Sequence, residues 1–199
     1  ADASTRFTLG RRGGQWVVSR VNGQPTYKAR FKGRFLATPD GRVKELPEPD
    51  CFYLNEGNGK FQQMVFEEGS FTDEDGRPFA AAHDWGLAVA FRDVNGDLAP
   101  DLYVCNDFSS PDRFWINDGR GRFRAVPRLA VRHTSRSSMG IDFADLNHDG
   151  YDDMLVLDML ARQQARRLVH LDKEKPIPIV VGKFDDRPRY NRNVLLVSR

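Results

Sequence analysis

The sequence has little cysteine, no marked excess of charge of one sign and no long apolar run. With 30 basic and 28 acidic side chains in 199 residues, its formal net charge is only +2. This balance argues against a dedicated nucleic-acid binder, whose surface normally carries a strong cationic excess. No apolar run is long enough to cross a membrane, so we expect no direct membrane span. The apolar content of 40% excludes a wholly disordered chain, and the length of 199 residues fits one medium domain or an excerpt of a larger one.

The two cysteines, Cys51 and Cys105, are too few for a disulfide framework. They could form one bridge at most, and neither has a second cysteine at metal-ligand spacing. The sequence favours two buried thiols that act as small apolar residues. The chain begins at Ala1 without a charged and then apolar leader. That start is compatible with a removed signal peptide or with an excerpt of a longer chain.

Turn-forming and aromatic residues are abundant, and one aromatic segment is repeated. The sequence has 17 glycines and 11 prolines, and the segments between them contain 14 Phe, 5 Tyr and 3 Trp. Frequent turns separated by aromatic-rich segments favour an all-β fold. The segment 52–61, FYLNEGNGKF, returns 62 residues later as 114–123, FWINDGRGRF. Each copy predicts a strand, a short Asn/Gly turn and a second strand that opens on phenylalanine.

An acidic segment is repeated as well, at an offset of 52 residues. Residues 91–101 align with residues 143–153, and apolar runs flank both copies. One unit therefore reads as strand, acidic loop, strand, linker, strand, glycine turn, strand. Four antiparallel strands in a unit of about fifty to sixty residues are typical of a propeller blade. The sequence predicts about three such blades, a partial β-propeller.

The units divide the chain into a weakly matching N-terminal part and a repeat region. We expect a degenerate N-terminal β segment over 1–48 and blades over 49–199. The first unit keeps only the hairpin at 52–64, the second runs from about 85 to 127, and the third begins near 137 and resumes with a strand at 193–197. Turn signals at Asn22-Gly23 and at Pro39-Asp40-Gly41 predict further strands in the N-terminal segment.

A basic insertion interrupts the third unit at 159–192, with nine Lys/Arg against four Asp/Glu. Apolar spacing predicts a short amphipathic helix over 160–172, with Asp158 as its candidate N-cap. Pro176 and Pro178 then predict an extended stretch. The insertion is interpreted either as a solvated basic segment packed on one blade or as a docking surface for an acidic partner.

Both acidic loops carry oxygen ligands at positions 1, 3, 5 and 9, and position 7 can add its backbone carbonyl. Alternate side chains of a tightly turning loop converge on one centre. Five or six oxygens with three negative charges suit Ca²⁺, and the lack of Cys or His at ligand spacing disfavours zinc. The predicted metal ligands are Asp93, Asn95, Asp97, Ala99 and Asp101 in the first loop, and Asp145, Asn147, Asp149, Tyr151 and Asp153 in the second.

The alternatives are an EF-hand and an Asp/Asn-rich turn without metal. An EF-hand needs a bidentate Glu at position 12, where this sequence has Val104 or Val156 inside an apolar run. Two copies in the same strand context favour calcium over a metal-free turn. We expect tighter binding at the second loop, because Leu98 replaces the glycine found at Gly150. His148, at a non-ligating position, is expected to face solvent.

The acidic loops followed by an apolar strand resemble the FG-GAP/VCBS repeats of integrin-α-type β-propellers. The stretches SSMGIDFAD at 137–145, LDML at 157–160 and RPRYNRN at 187–193 are similar, more narrowly, to the ASPIC/UnbV (cartilage acidic protein-like) group, which includes bacterial secreted proteins. The resemblance covers about residues 50–199. It implies a seven-bladed, secreted, calcium-binding and non-enzymatic protein.

Three functional classes are compatible with these features. The leading hypothesis is a calcium-stabilised propeller segment for adhesion or scaffolding that is secreted, periplasmic or on the cell surface, where weak calcium sites are filled. A subunit of a larger membrane-associated assembly is a second class. A polysaccharide lyase or hydrolase is the third, and it would rest on His83-Asp84 or on His133 near Ser135. Because no nucleophile elbow, phosphate loop or zinc motif is present, we predict no catalytic residues.

The repeat count also predicts partners. Three four-stranded blades cannot close a ring, and the third lacks its outer strand after Val197. An open array exposes apolar faces and strand edges, which invite association. We expect further blades or a protein partner to cover the open blade edge, with the 159–192 insertion as an additional contact. The isolated chain should then be poorly soluble or oligomeric.

Overall fold

The computed structural model describes residues 4–26, 34–79, 83–108, 110–172 and 187–198. It divides the chain into two compact units, 1–49 and 50–199. The described residues are mostly strands, with one α-helix and one short 3₁₀ turn. The predicted all-β class is therefore confirmed. Within the described ranges, no helix is both long and apolar enough to span a membrane.

The N-terminal unit consists of a three-stranded antiparallel sheet and a separate hairpin. Its strands are β1 (Phe7–Arg12), β2 (Gln15–Val21), β3 (Gln24–Pro25), β4 (Phe35–Ala37) and β5 (Val43–Glu45). Both predicted turns are confirmed. The β2–β3 turn has positive φ at Asn22 (48°) and Gly23 (76°), as a two-residue turn between twisted strands requires.

The second unit contains one complete antiparallel meander of four strands, the central sheet. Its strands are β9 (Gly86–Arg92), β10 (Asp101–Asn106), β11 (Arg113–Asn117) and β12 (Phe123–Ala125), and β8 (Phe71–Thr72) adds a parallel edge to β12. The order of strand, acidic loop, strand, linker, strand, turn, strand is as predicted.

The third sheet repeats the first three of these strands. It consists of β14 (Ser138–Ala144), β15 (Asp153–Asp158) and β17 (Val194–Leu196), and a short parallel pair, β13 (Thr134–Ser135) and β16 (Arg189–Tyr190), lies beside it. The register is equivalent: Leu102 pairs with Trp115 as Met154 pairs with Leu196. Strand β17 thus occupies the place of β11, as the predicted resumption at 193–197 implies.

The first predicted blade is represented by a hairpin alone. Strands β6 (Phe52–Gly57) and β7 (Lys60–Met64) pair with each other and with no further strand in the described part of the chain. The hairpin is held instead by aromatic packing, since the Phe52 ring lies 5.6 Å from Phe71 and 5.3 Å from Phe123 between centroids.

The central sheet is covered on both faces. Successive strand residues point to opposite sides, so Leu102 packs into an aromatic cluster on the hairpin side and Tyr103 into a second cluster against the third sheet. The first cluster contains Phe66, Phe71, Leu102, Trp115, Phe123 and Ala125; the second contains Tyr103, Cys105, Met154, Val156 and Val194. This double burial explains why 102–105 is a continuous apolar run rather than an alternating one.

The structure corrects the predicted helix. Helix α1 (Gln164–Asp172) begins four residues later than expected, because Leu160 N–H bonds the carbonyl of Asp158 in a tight turn (2.7 Å) that ends β15. The Asp158 side chain is not the cap: its Oδ2 accepts from Ser135 Oγ (2.6 Å) and from the backbone N–H of Ser137 (3.1 Å). The stretch predicted at Pro176 and Pro178 lies outside the described residues.

The structure corrects the expectation for the cysteines in part and shows one contact of the basic insertion. Both cysteines are free, but only Cys105 is buried and Cys51 is exposed, so the expectation of two buried thiols is wrong for Cys51. At the end of the basic insertion, Arg187 is buried and donates from Nη2 to the carbonyl of Val126, a contact compatible with the interpretation as a basic segment packed on one blade. The insertion therefore contributes packing as well as charge.

Candidate functional site: two equivalent acidic loops

The two acidic loops occupy the same place in adjacent sheets. Loop 1 (93–100) connects β9 to β10, and loop 2 (145–152) connects β14 to β15. The strands pair antiparallel around each loop, as the repeat predicted. The loops can therefore be compared position by position.

Position 1 closes each loop with its carboxylate. In loop 1, Asp93 Oδ1 accepts from the N–H of Asp97 (3.1 Å) and Oδ2 from that of Leu98 (2.9 Å). In loop 2, Asp145 Oδ1 accepts from the N–H of Asp149 (3.1 Å) and Oδ2 from that of Gly150 (2.9 Å). The same two amides of each turn, at positions 5 and 6, are thus satisfied by the same side chain.

Positions 3 and 5 form a second matching set of contacts. Asn95 Nδ2 donates to Asp97 Oδ2 (2.8 Å), and Asn147 Nδ2 donates to Asp149 Oδ2 (2.8 Å). The other carboxylate oxygen at position 5 accepts from the N–H of position 7, at 2.8 Å in loop 1 and 2.9 Å in loop 2. The position-5 carboxylates are exposed, so water competes with these contacts.

Position 9 ties each loop to the body of its sheet. Asp101 and Asp153 are each only 1% exposed. Asp101 accepts from the N–H of Val94 in the loop (2.9 Å) and of Asn117 at the end of β11 (2.8 Å). Asp153 does the same with Leu146 (3.0 Å) and Ser198 (2.9 Å). One carboxylate therefore joins the loop to two neighbouring strands in both sheets.

Burial and hydrogen bonding act against each other at Asp101, position 9 of loop 1. Burial raises the pKa of the Asp101 carboxyl, and the nearby Asp97 and Asp93 raise it further, whereas the hydrogen bonds from Asn117 and Val94 lower it. The three acids of loop 1 thus repel one another across a short loop. A bound cation would oppose this repulsion.

The backbone of the two loops is also the same. Positions 4 and 6 have positive φ in both: 77° at Gly96 and 68° at Leu98 in loop 1, and 61° at His148 and 89° at Gly150 in loop 2. Leu98 therefore adopts the conformation for which loop 2 uses glycine. Its side chain is 93% exposed and contributes little packing.

Replacing Leu98 by glycine should stabilise the protein. The left-handed conformation costs an L-residue about 1–2 kcal/mol, and this strain is relieved in glycine. Because glycine loses more conformational entropy on folding, about 0.5–1 kcal/mol of that gain is offset. We expect a net gain of up to about 1 kcal/mol in the free energy of unfolding, measured by denaturant titration. The matched control is Gly150→Ala, which should lower the free energy of unfolding. A Leu98→Gly variant that is less stable than the wild type, or two variants that change stability by the same amount in the same direction, would contradict the loop geometry.

The donor chemistry of the loops fits a hard cation, but their side chains are arranged around backbone amides. Each loop offers only oxygen atoms, three of its four ligating side chains being carboxylates. Among the residues that the structure describes, no three Asp, Glu, His or Cys side chains form a group that could hold a metal ion. Of the position-7 residues, Ala99 is buried and Tyr151 is exposed. Calcium at either loop stays a prediction.

Two polar contacts between the sheets were not foreseen from the sequence. Arg92 of β9 forms a bidentate ion pair with Asp152 of loop 2, with Nη2 2.9 Å from Oδ1. The buried Asp112 accepts from Tyr103 Oη (2.7 Å) in its own sheet and from Ser138 Oγ (2.6 Å) in the next. Only knowledge of which sheets are adjacent could have paired these residues.

Three of the residues on which an enzyme would rest make other contacts in the structure. Asp84 forms a buried bidentate ion pair with Arg113, at 2.7 and 3.2 Å. His133 lies 3.1 Å from Arg192 Nη2, and its pKa is lowered by burial and by that guanidinium. Ser135 donates its hydroxyl to Asp158. An apolar groove in the second unit, whose lining includes Phe52, Phe91 and Trp115, is lined by no histidine.

Comparison with known proteins identifies part of the second unit. Residues 93–156 match the family model of the FG-GAP-like repeat. The match begins at position 1 of loop 1 and ends within β15, so it includes both acidic loops and the strands between them. Searches of curated proteins and of solved structures found no match to the chain. Residues 93–156 are therefore similar to an FG-GAP-like repeat, and the narrower resemblance to the ASPIC/UnbV group stays a prediction.

Proposed function

We propose that this protein is a calcium-binding module of the β-propeller type that acts in adhesion or scaffolding outside the cytoplasm. FG-GAP-like repeats suggest a protein-interaction role of this kind. The observation that carries the proposal is the pair of acidic loops, which make the same hydrogen bonds at the same place in adjacent sheets within the matched segment. Each of the two loops also concentrates three carboxylates and one amide oxygen, which supports a shared cationic ligand.

Calcium is the ligand best suited to these loops. Ca²⁺ accepts six to eight oxygen ligands in irregular geometry, and each loop concentrates three carboxylates and one amide oxygen. The carboxylates of Asp97 and Asp149 are exposed and could turn toward a cation at little cost. Those of Asp101 and Asp153 are already fixed by backbone amides. When bound, the ion would neutralise the loop and hold together the first two strands of its sheet.

The proposed location follows from the chemistry of such sites. Calcium sites of extracellular modules have dissociation constants of about 10⁻⁴–10⁻³ M. They are filled in a calcium-rich medium and empty in the cytosol. We therefore place the protein in the secreted, periplasmic or cell-surface class, as the resemblance of 137–145 and 187–193 to the ASPIC/UnbV group also implies. We assign it no catalytic residues.

The outer face of the third sheet is the proposed contact surface. In the central sheet, Tyr103, Cys105 and Phe114 are covered by the third sheet. The equivalent positions of the third sheet, by register, are Leu155, Leu157 and Leu195, and these are 38%, 47% and 51% exposed. The layer that covers this face of the central sheet is the third sheet, which presents an aliphatic face to it. We propose that another such sheet, from a further blade or a protein partner, covers this surface.

Association of the isolated chain tests this surface. Exposed apolar patches drive self-association, so we expect the 199-residue chain to sediment as concentration-dependent oligomers. The double variant Leu155→Glu, Leu195→Glu should sediment as a monomer. The control is Leu36→Glu with Tyr53→Glu, which changes two exposed apolar residues elsewhere and should leave association unchanged. A wild-type chain that is a compact monomer at all concentrations would refute the contact surface.

A further inference from the structure

An apolar groove lies between the β6–β7 hairpin and the central sheet. Its volume is about 390 Å³, within the usual range of roughly 300–1,000 Å³ for small-molecule sites. Both strands of the central sheet that flank loop 1 contribute to its floor. The walls are mainly aromatic and include Phe52, Phe66, Phe71, Phe91 and Trp115. Such walls bind apolar groups and also attract cations over the ring faces.

One carboxyl group, that of Asp50, lines the groove. Asp50 is half-buried, and the structure records no hydrogen bond to its side chain from any described residue. A carboxylate that is partly removed from water and lacks donors is costly unless a counter-charge is supplied. Asp50 therefore has an unmet need for a cationic donor on the groove side.

The other charged groups near Asp50 do not meet this need. Asp84 and Arg113 neutralise each other through two hydrogen bonds of 2.7 and 3.2 Å. The pKa of Asp50 is raised to about 6: burial is the largest cause and Asp84 adds to it, while Arg113 and His83 act in the opposite direction. At pH 7.5 Asp50 is thus mostly ionised, and the local cluster of two acids and one guanidinium retains a negative charge.

We propose that the groove binds a small organic cation, whose aromatic or aliphatic body lies among the phenyl and indole rings and whose ammonium group pairs with Asp50. A neutral apolar molecule would fill the walls but leave Asp50 without a donor. An anion would be repelled by the same carboxylate. No residue of either acidic loop lines the groove, so the groove can be present whether or not these loops bind calcium.

The test compares phenethylammonium with its neutral analogue 2-phenylethanol on the full chain by titration calorimetry. At pH 7.5 the cation should bind more tightly than the alcohol. Lowering the pH to 5.0 protonates Asp50 and should weaken the cation about tenfold, since about a tenth of a group with a pKa of 6 is ionised there. Binding of the alcohol should change little. The variant Asp50→Asn should remove the preference for the cation at both pH values, whereas Glu56→Gln, an exposed change in the same hairpin, should not.

Cys51 provides a second readout that does not depend on heat. Its thiol is exposed and lines the groove, whereas burial raises the pKa of Cys105 to about 12, so only Cys51 should react in the native protein. Bound phenethylammonium should slow the alkylation of Cys51 by iodoacetamide in the wild type and not in Asp50→Asn. Equal binding of cation and alcohol, an Asp50→Asn variant that still prefers the cation, or no binding of either probe would each overturn the proposal.

Discussion

Replacing Asp101 by alanine should lower the free energy of unfolding by about 2–4 kcal/mol in calcium-free buffer. Asp101 is 1% exposed, and its two oxygens accept from the N–H groups of Val94 (2.9 Å) and Asn117 (2.8 Å). Alanine would leave both amides without an acceptor in a place that water does not reach, and each such loss costs about 1–3 kcal/mol. Since the loss concerns the protein alone, it should persist in the presence of a chelator.

The matched control is Asp97→Ala in the same loop. Asp97 carries the same charge but is exposed, so its amide contacts can be replaced by water and its loss should cost less than about 1 kcal/mol. Urea titration of both variants measures the difference. If Asp101→Ala unfolds at the same denaturant concentration as Asp97→Ala, position 9 is not the connection between loop and sheet described above. Asp153→Ala should act in the same direction as Asp101→Ala.

Replacing Asp84 by alanine should have the largest effect of any single change, a loss of about 3–5 kcal/mol. Asp84 and Arg113 have side chains that are only 5% and 6% exposed, and they form a bidentate pair. The alanine variant would keep the guanidinium in the interior and remove its main counter-charge. The Phe79 ring, 5.1 Å from the guanidinium carbon, compensates only in part.

The double variant Asp84→Leu, Arg113→Met distinguishes two quantities: the penalty for leaving one buried charge unpaired and the net stability that the intact ion pair contributes. Apolar replacement of both partners of a buried ion pair is often neutral or stabilising, so the double variant should recover most of the stability lost in Asp84→Ala. Thermal unfolding monitors both. A single variant within about 0.5 kcal/mol of the wild type, the usual range for changes on the surface, would show that the pair is open to water.

The sheets of the second unit could be predicted because their signals are local and repeated. Strand alternation, the glycine turns and the acidic loops each appear within about ten residues, and the 52-residue offset aligns two copies of the loop. The interrupted third unit was predicted for the same reason. When 159–192 is treated as an insertion into the repeat, the apolar segment 193–197 aligns with the strand that became β11 in the central sheet. The register of this strand is a finding of the structure, in which Val194 lies opposite Val156.

Contacts between elements could not be predicted in this way. Asp158 has the sequence context of a helix cap, yet it lies at the end of β15 and accepts from the turn before β14, a choice that depends on where β13 lies. Cys51 precedes an aromatic strand, but that strand belongs to a two-stranded hairpin with one open side. The ion pair of Arg92 with Asp152 requires the two sheets to be neighbours. Each of these outcomes is decided by tertiary packing rather than by local pattern.

The same distinction applies to the functional residues. The ligand spacing of the loops is visible in the sequence, and the structure shows that equivalent residues of the two loops make equivalent hydrogen bonds. The proposed role of Asp50 is not visible in the sequence, because the residues that line the groove with it come from segments far apart along the chain. Its raised pKa results from burial and from Asp84, which lies 34 residues away in the chain.

The central claim, that the two loops are calcium sites, is tested most directly by calorimetric titration of calcium-free protein with Ca²⁺. We expect two sites with dissociation constants of about 10⁻⁴–10⁻³ M, the tighter one at loop 2. Asp149→Ala should remove that site and Asp97→Ala the weaker one, and calcium should stabilise the wild type by about 3 kcal/mol per site at a hundredfold excess over the dissociation constant of that site. Absence of heat up to about 10 mM Ca²⁺, well above that range, with a melting temperature unchanged by calcium, would contradict the claim.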